Sequence, residues 1–199
     1  MPKKLSEYYF GKKPLNKFRS SSYSRSLELY YNKFEPPKEI ELVDTWICKP
    51  IENKVTMVFA CGGQEEKLVT YDFLHCNDGE AFVVHKRVLE KLTEICPNDF
   101  EVIPVIIKNL KPKQTAFANQ DFVLINMLHE IDAIDKEETT IEYSSTGFVW
   151  TKNVQFKENC MAGHLLARDS FKRTHLLFDP KLAREFANSK VVRFVDRGY

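Results

Sequence analysis

The amino-acid sequence predicts an α+β fold in which a mixed, largely antiparallel sheet carries a few packed helices. Short apolar runs rich in Val, Ile and Phe recur from Ile40 onwards and are separated by turn residues, which is typical of strands. Apolar residues recur at helical spacing within residues 85–95 and 182–187, which indicates two amphipathic helices. The chain of 199 residues is long enough to bury one substantial core, and it contains no internal repeat, so one main domain is expected.

Composition divides the chain into a basic N-terminal arm, residues 1–36, and an α+β domain, residues 37–199. Residues 1–34 contain eight Lys or Arg and two Glu, a local charge of +6 in a chain whose net charge is +1, so the remainder is mildly acidic. The arm has little apolar periodicity. We therefore expect it to be loosely ordered, with one short helix at residues 24–33.

The strands of the domain are predicted from its apolar runs. Residues 100–108 and 121–131 are the most apolar segments and are the predicted central strands. Pro104 lies inside the first, which indicates a bulge or a position whose amide faces no neighbour. Residues 55–60 and 67–74 flank a Gly-Gly turn, which is typical of a hairpin. Further strands are predicted at residues 148–150, 154–156 and 191–195.

Both predicted helices have recognisable ends. The first runs from His85 to Ile95, and Pro97 prevents its continuation. The second begins at Asp179, because a carboxylate at this position can cap the free amides of the first turn. Pro180 then occupies that turn without losing a hydrogen bond.

The cysteines and the hydropathy of the chain indicate its cellular compartment. The cysteines are widely spaced and form no CxxC pair, which argues against a disulfide framework and a zinc ribbon, so we expect reduced, mostly buried thiols. The five are Cys48, Cys61, Cys76, Cys96 and Cys160. The apolar run at residues 55–60 is far shorter than the roughly 20 residues that a bilayer requires, and residues 1–18 lack the apolar segment of a signal peptide. We expect a cytoplasmic protein that does not insert into a membrane.

No catalytic residue, metal ligand or cofactor is predicted, so we expect a protein that is not an enzyme. The sequence contains no nucleophile elbow, phosphate-binding loop or dinucleotide fingerprint. One local cluster has the residue types of a zinc site: His75, Cys76, His85 and Cys96. Zinc ligands normally come in closely spaced pairs, so we interpret these residues as core thiols, a strand end and a helix cap.

A metal-dependent nuclease is the enzymatic hypothesis that the residues allow. Asp44 and Glu52 could hold a divalent ion while Lys54 stabilises developing charge. Such combinations arise often by chance in a chain with 29% charged residues. An enzyme is therefore a weaker hypothesis than a binding protein.

Residues 67–194 resemble the bacterial immunity family numbered eleven, whose members neutralise polymorphic toxins. Residues 71–74 are similar to its strand that carries an aspartate, residues 83–92 to its following helix, and residues 100–105 to its strand with a proline and a valine. Residues 122–135 are similar to the family strand that closes on two nearby aspartates. The closing strand, helix and strand correspond to residues 163–171, 178–187 and 192–194. The chain departs from the family pattern at His85, where a serine cap is commoner.

This resemblance implies a stoichiometric inhibitor without catalysis, encoded beside a secreted toxin and protecting the producer and its kin. The implied partner is a cognate toxin domain that is bound without covalent chemistry. Because this chain shows no export signal, we expect the toxin that it neutralises to act in the cytoplasm. That favours nuclease, nucleotide-hydrolysing or protein-modifying toxins over those that damage walls or membranes.

The alternative function is a nucleic-acid-binding or regulatory module outside toxin systems. The basic arm carries aromatic residues that could stack on bases while its cations contact phosphates. These are Tyr8, Tyr9, Phe18, Tyr23, Tyr30 and Tyr31. No recognisable nucleic-acid-binding fold accompanies them, so we favour a solvated segment that packs some aromatics against the body.

The candidate toxin-binding residues lie in the segment 135–146, which is expected to be an exposed acidic loop. Four carboxylates gather there beside a tyrosine, and an acidic loop could be steered into a cationic toxin cleft and block it. The residues are Asp135, Glu137, Glu138, Glu142 and Tyr143. The competing interpretation is an ordinary surface loop, because runs of charged residues usually lie on solvent-exposed surfaces without a binding role.

Overall fold

The computed structural model describes residues 18–20, 29–30, 45–61, 65–74, 81–109, 118–147, 149–187 and 192–194. In chain order its strands are β1 (Phe18–Ser20), β2 (Leu29–Tyr30), β3 (Met57–Cys61), β4 (Phe73–Leu74), β5 (Phe82–His85), β6 (Phe100–Asn109), β7 (Ala118–Asn119), β8 (Phe122–Met127), β9 (Glu130–Ile131), β10 (Thr140–Tyr143), β11 (Val149–Lys152), β12 (Leu166–Asp169), β13 (Leu176–Phe178) and β14 (Val192–Phe194). The α-helices are α1 (Lys86–Ile95) and α2 (Pro180–Ala187), and a 3₁₀ helix spans Glu65–Thr70.

The main sheet contains seven strands within the described part of the chain. Six of them lie in the order β2-β3-β6-β8-β5-β4. The seventh, β7, pairs with the C-terminal part of β6, along the same edge of β6 as β8. β3 and β6 are parallel, whereas the other neighbours are antiparallel. The predicted α+β class, with its mixed and largely antiparallel sheet, is confirmed. β6 and β8 occupy the centre of the sheet, as predicted.

Strand β8 is buried at every position because the main sheet is covered on both faces. Val123, Ile125 and Met127 belong to a core cluster that includes buried residues of both α-helices. Phe122 and Leu124 belong to a second cluster, which includes residues of β3 and the 3₁₀ helix. Successive strand residues point to opposite faces, so a doubly covered strand requires the continuous apolar run that the sequence shows.

β6 changes its main partner at Pro104. Residues up to Pro104 pair antiparallel with β8, and those after it pair parallel with β3. From Pro104 to Ile107, β6 advances by three residues, whereas the facing segment advances by four residues, from Val123 in β8 to Asn119 in β7. The facing segment therefore contains one extra residue, which forms a β-bulge. The bulge predicted at this point of the sheet is present, with its extra residue on the facing strand.

Both α-helices begin as predicted. His85 precedes α1, and its Nδ1 accepts a hydrogen bond from the amide of Arg87 at 3.1 Å. Asp179 precedes α2, and its Oδ1 accepts a hydrogen bond from the amide of Lys181 at 2.7 Å. Each side chain thus satisfies an amide that the first turn leaves without a helical partner.

A smaller sheet of order β13-β12-β9 lies outside the main sheet. β12 is antiparallel to β13 and parallel to β9. A third core cluster includes Ala133, Ile134, Phe156, Ala167 and Leu177. β10 and β11 pair with each other, and so do β1 and β14, each pair forming its own two-stranded sheet.

The hairpin predicted from residues 55–60 and 67–74 is wrong. β3 pairs with β2 and β6, and β4 pairs with β5. Residues 67–70, half of the second segment, belong to the 3₁₀ helix instead of a strand. β3 pairs along its whole length with β6, and this long-range pairing prevails over a local turn.

The predicted arm, residues 1–36, is described only at β1 and β2. The helix predicted at residues 24–33 is wrong where it can be compared, because Leu29–Tyr30 is extended and pairs with β3. The other residues of that helix lie outside the described residues. The same holds for the Gly-Gly turn and for the cluster members His75 and Cys76.

The expectation of mostly buried cysteines is met in the described residues. Cys48, Cys61 and Cys96 are buried, and Cys160 is partly buried. Burial, with Asp99 nearby, raises the pKa of the Cys96 thiol to about 12, so this thiol stays protonated at neutral pH. Among the helices that the structure describes, none combines the length and the apolar character needed to cross a membrane.

Candidate functional site

Two of the five candidate binding residues lie on a strand. Glu142 and Tyr143 belong to β10, which pairs antiparallel with β11, so this part of the segment is exposed as predicted but is a strand and not a loop. Glu142 faces Trp150 across the ladder, and Tyr143 faces Val149. The acidic residues of the segment indicate a loop, whereas Thr140, Ile141 and Tyr143 are residue types enriched in strands, and they pair with β11.

Asp135 holds the turn that leads into this hairpin. Its Oδ1 accepts hydrogen bonds from the amides of Glu137 at 3.0 Å and Glu138 at 3.3 Å. Its carbonyl accepts from the amide of Thr139 at 2.9 Å, and its amide donates to the carbonyl of Gln155 at 2.8 Å. The structure therefore assigns Asp135 a local structural role, since its carboxylate already binds two amides.

The remaining acidic residues differ in how far their charge is neutralised. Glu142 Oε1 lies 2.8 Å from the Nζ of Lys152, and both side chains are about half exposed. Glu137 and Glu138 are exposed, and neither side chain forms an ion pair with any residue that the structure describes. The negative charge offered to solvent beside the hairpin thus comes mainly from these two residues.

Large aromatic side chains are exposed on both faces of the hairpin. Tyr143 is 69% exposed and Trp150 is 56% exposed. Residues directly opposite in an antiparallel pair share a face and successive residues alternate, so Trp150 shares its face with Glu142 and Tyr143 lies on the other face. We refer to the segment from Asp135 to Lys152, with these two aromatics, as the aromatic hairpin.

Sequence reasoning selected Tyr143 but missed Trp150. Residues 148–150 are an apolar run, and such a run predicts a strand without indicating which side chains face solvent. The base of the aromatic hairpin is fixed, because Thr151 is fully buried and its hydroxyl accepts a hydrogen bond from the Nζ of Lys172 at 3.1 Å. An exposed tip on a fixed base suits a binding surface.

A second cluster brings together one carboxylate and two imidazoles. Asp99 follows α1, His129 lies between β8 and β9, and His164 precedes β12. Asp99 Oδ1 lies 3.4 Å from His129 Nε2 and 3.3 Å from His164 Nδ1. The two imidazole rings are stacked, with centroids 3.7 Å apart. His129 Nε2 also lies 3.2 Å from the carbonyl of Asn98.

Backbone contacts orient the buried carboxylate of this cluster. Asp99 is 7% exposed, and its Oδ2 accepts hydrogen bonds from the amides of Leu165 at 2.6 Å and Leu166 at 3.1 Å. The carbonyl of Asp99 accepts from the amide of Leu128 at 2.9 Å. The sequence does not indicate this cluster, since Asp99 and His164 are 65 positions apart and the connections containing them meet only in the fold.

The two members of the zinc cluster considered from sequence that the structure describes do not come together. His85 and Cys96 lie at opposite ends of α1, roughly 15 Å apart along a helix of this length, so they cannot share an ion. Lys54 forms a salt bridge with Glu101 at 2.9 Å, while Glu52 is exposed and Asp44 lies outside the described residues.

Comparison with known proteins does not assign a family. No protein-family model matches the chain, and no curated protein matches it. The residues of the chain itself are therefore the basis for assigning a function.

Proposed function

We propose that this protein acts by binding another protein through the aromatic hairpin, and that it is an immunity protein for a cognate toxin. The observation that carries the proposal is the exposure of Tyr143 and Trp150 on the hairpin. Sites of protein association are enriched in tyrosine and tryptophan, and truncation of such residues typically weakens binding more than truncation of their neighbours.

The charges around the aromatics suit a basic partner. Glu137 and Glu138 are exposed acids in the turn before β10, and Glu142 is partly neutralised by Lys152. Exposed carboxylates accelerate encounter with a positively charged cleft, whereas aromatic contacts hold the complex after encounter. Asp135 supports this surface indirectly through the turn that it caps.

We propose the class of partner from the resemblance of residues 67–194 to the immunity family. Toxins that act on nucleic acids or nucleotides often have cationic clefts, and an acidic surface with aromatic residues could occlude one. The proposed partner is a toxin domain of this kind, acting in the cytoplasm. Inhibition requires no reaction centre in the chain, because stoichiometric binding is sufficient.

The proposal is tested by protection of living cells. The chain is co-expressed with the toxin domain encoded beside it, and surviving colonies are counted. Trp150→Ala and Tyr143→Ala, alone and together, are expected to lower survival by at least about tenfold, since each removes a large contact. Val69→Ala is the matched control, because Val69 is 57% exposed and lies on the 3₁₀ helix, away from the hairpin.

The contribution of charge is tested separately. Reversal of both Glu137 and Glu138 to Lys is expected to slow association and weaken its dependence on salt, while Glu158→Lys, an exposed acid of a different turn, changes neither. Full protection by the Trp150 and Tyr143 double variant would contradict the proposed surface. Full survival of cells that express the toxin domain without this chain would contradict the immunity function.

A further inference from the structure

We propose that Asp99, His129 and His164 form a binding site for one divalent transition-metal ion, and that Zn²⁺ fits it best. The three residues each offer one ligand atom, and these atoms all lie within 4.8 Å of one another. The site is independent of the aromatic hairpin, so either proposal can fail without the other.

Two of the three distances between the ligand atoms match those around a tetrahedral ion. Zinc binds nitrogen and oxygen ligands at about 2.0–2.2 Å, which places two ligands at the tetrahedral angle about 3.3–3.5 Å apart. The Oδ1 of Asp99 is 3.4 Å from the Nε2 of His129 and 3.3 Å from the Nδ1 of His164. The carboxylate could therefore bind an ion between these atoms without a large shift of its own.

The carboxylate is already oriented for this role. Asp99 Oδ2 is occupied by the amides of Leu165 and Leu166, which leaves Oδ1 directed at the two imidazoles. Outer hydrogen bonds of this kind fix metal-binding carboxylates in proteins. Asp99 is 7% exposed, and a buried negative charge is stabilised by an adjacent cation.

The two imidazoles must rotate when an ion binds. A ring nitrogen coordinates in the plane of its ring, whereas the rings of His129 and His164 are stacked at an interplanar angle of 22°. Their side chains are 29% and 37% exposed, respectively, which gives each ring room to turn. The same exposure leaves a fourth position for water, as in zinc sites with three protein ligands.

The ligand types decide which ions fit. Two imidazoles and one carboxylate suit zinc and its neighbours in the first transition row, whereas Mg²⁺ and Ca²⁺ prefer oxygen ligands. The ligands come from three separate connections: the one between α1 and β6, the one between β8 and β9, and the one before β12. A bound ion would tie these connections together and stabilise the folded state.

Calorimetric titration of the full, chelator-treated chain with ZnCl2 tests the site. We expect saturable binding of one ion per chain, visible absorption bands with Co²⁺, and a zinc-dependent rise in Tm. His129→Ala and His164→Ala are expected to weaken zinc binding by at least about tenfold and to abolish the rise in Tm. MgCl2 is expected to produce no such effect.

His85→Ala is the matched control, because His85 caps α1 and is remote from the cluster. Each variant is compared with its own metal-free Tm, so a loss of stability does not obscure the result. A variant that fails to fold is replaced by His164→Gln, and zinc-induced NMR shifts of the histidine rings in the unaltered chain give a second readout. The absence of saturable zinc binding, or equal binding by His129→Ala, His164→Ala and the unaltered chain, would overturn the proposal.

Discussion

At the scale of single residues, a fully buried aspartate joins two connections of the smaller sheet. The Oδ2 of Asp169 accepts hydrogen bonds from the amides of Ala133 at 3.1 Å and Ile134 at 2.9 Å. Its Oδ1 accepts from the amide of Lys172 at 2.7 Å. A buried carboxylate is tolerated when its oxygens are satisfied, and three amides fulfil that condition here.

Replacement of this aspartate should be costly. Asp169→Ala leaves three amides without their acceptor, and we expect it to lower the free energy of unfolding by about 3 kcal/mol. Asp132→Ala is the control, because Asp132 is exposed and pairs with exposed lysines, and exposed ion pairs contribute little. Urea denaturation followed by circular dichroism measures both. Equal losses in the two variants would show that the buried hydrogen bonds are not the cause.

At the scale of elements, helix α1 depends on an unusual cap. His85 accepts a hydrogen bond from the amide of Arg87 through Nδ1, which requires that this nitrogen carry no proton. Burial, followed by the charge of Arg87, lowers the pKa of His85 from its ordinary value of 6.5. The folded state thus favours the neutral, capping form of the ring.

The cap makes stability depend on acidity. As the pH falls below 6.5, histidine in the unfolded chain takes up a proton before His85 in the folded chain does, so the free energy of unfolding decreases. We expect His85→Ser to retain the cap and to lose less stability than the unaltered chain between pH 7 and pH 5.5. His85→Ala should cost about 1 kcal/mol at pH 7. Urea denaturation at the two pH values tests this, and an equal acid-induced loss in the serine variant would contradict it.

The sequence correctly predicts the elements that are stabilised by local contacts or that contain long apolar runs. Helix α1 is predicted because its apolar spacing and its ends agree, β8 because burial on both faces demands a long apolar run, and β6 because it is rich in Val and Ile. β10 escaped prediction, since its strand residues follow a run of acidic residues that indicates a loop, and its pairing with β11 is visible only in the fold. The false hairpin arose from a local turn signal, which carries no information about the pairing of β3 with β6.

The candidate sites were predictable to different degrees. Acidic residues and a tyrosine in one short segment identified the region of the aromatic hairpin, although Trp150 and the capping role of Asp135 emerge only from the fold. The cluster of Asp99, His129 and His164 has no local signature, because its members are separated along the chain and converge when three connections meet.

At the scale of the whole molecule, the described residues separate a packed body from an exposed ribbon. Two core clusters cover the faces of the main sheet, and a third lies with the smaller sheet. The aromatic hairpin contributes Tyr143 and Trp150 to solvent instead of to these clusters. This division implies that changes at the exposed aromatics have little effect on folding, and the proposed binding surface predicts that they weaken association with a partner.

The most direct test measures affinity and stability in the same variant. The Kd of the chain for the toxin domain proposed as its partner and the Tm of the chain alone are determined for the unaltered protein and for Trp150→Ala. We expect a rise in Kd of roughly 30-fold, equivalent to about 2 kcal/mol, with Tm nearly unchanged. An unchanged Kd, or a rise in Kd matched by loss of the folded state, would contradict the claim that the hairpin is the binding surface.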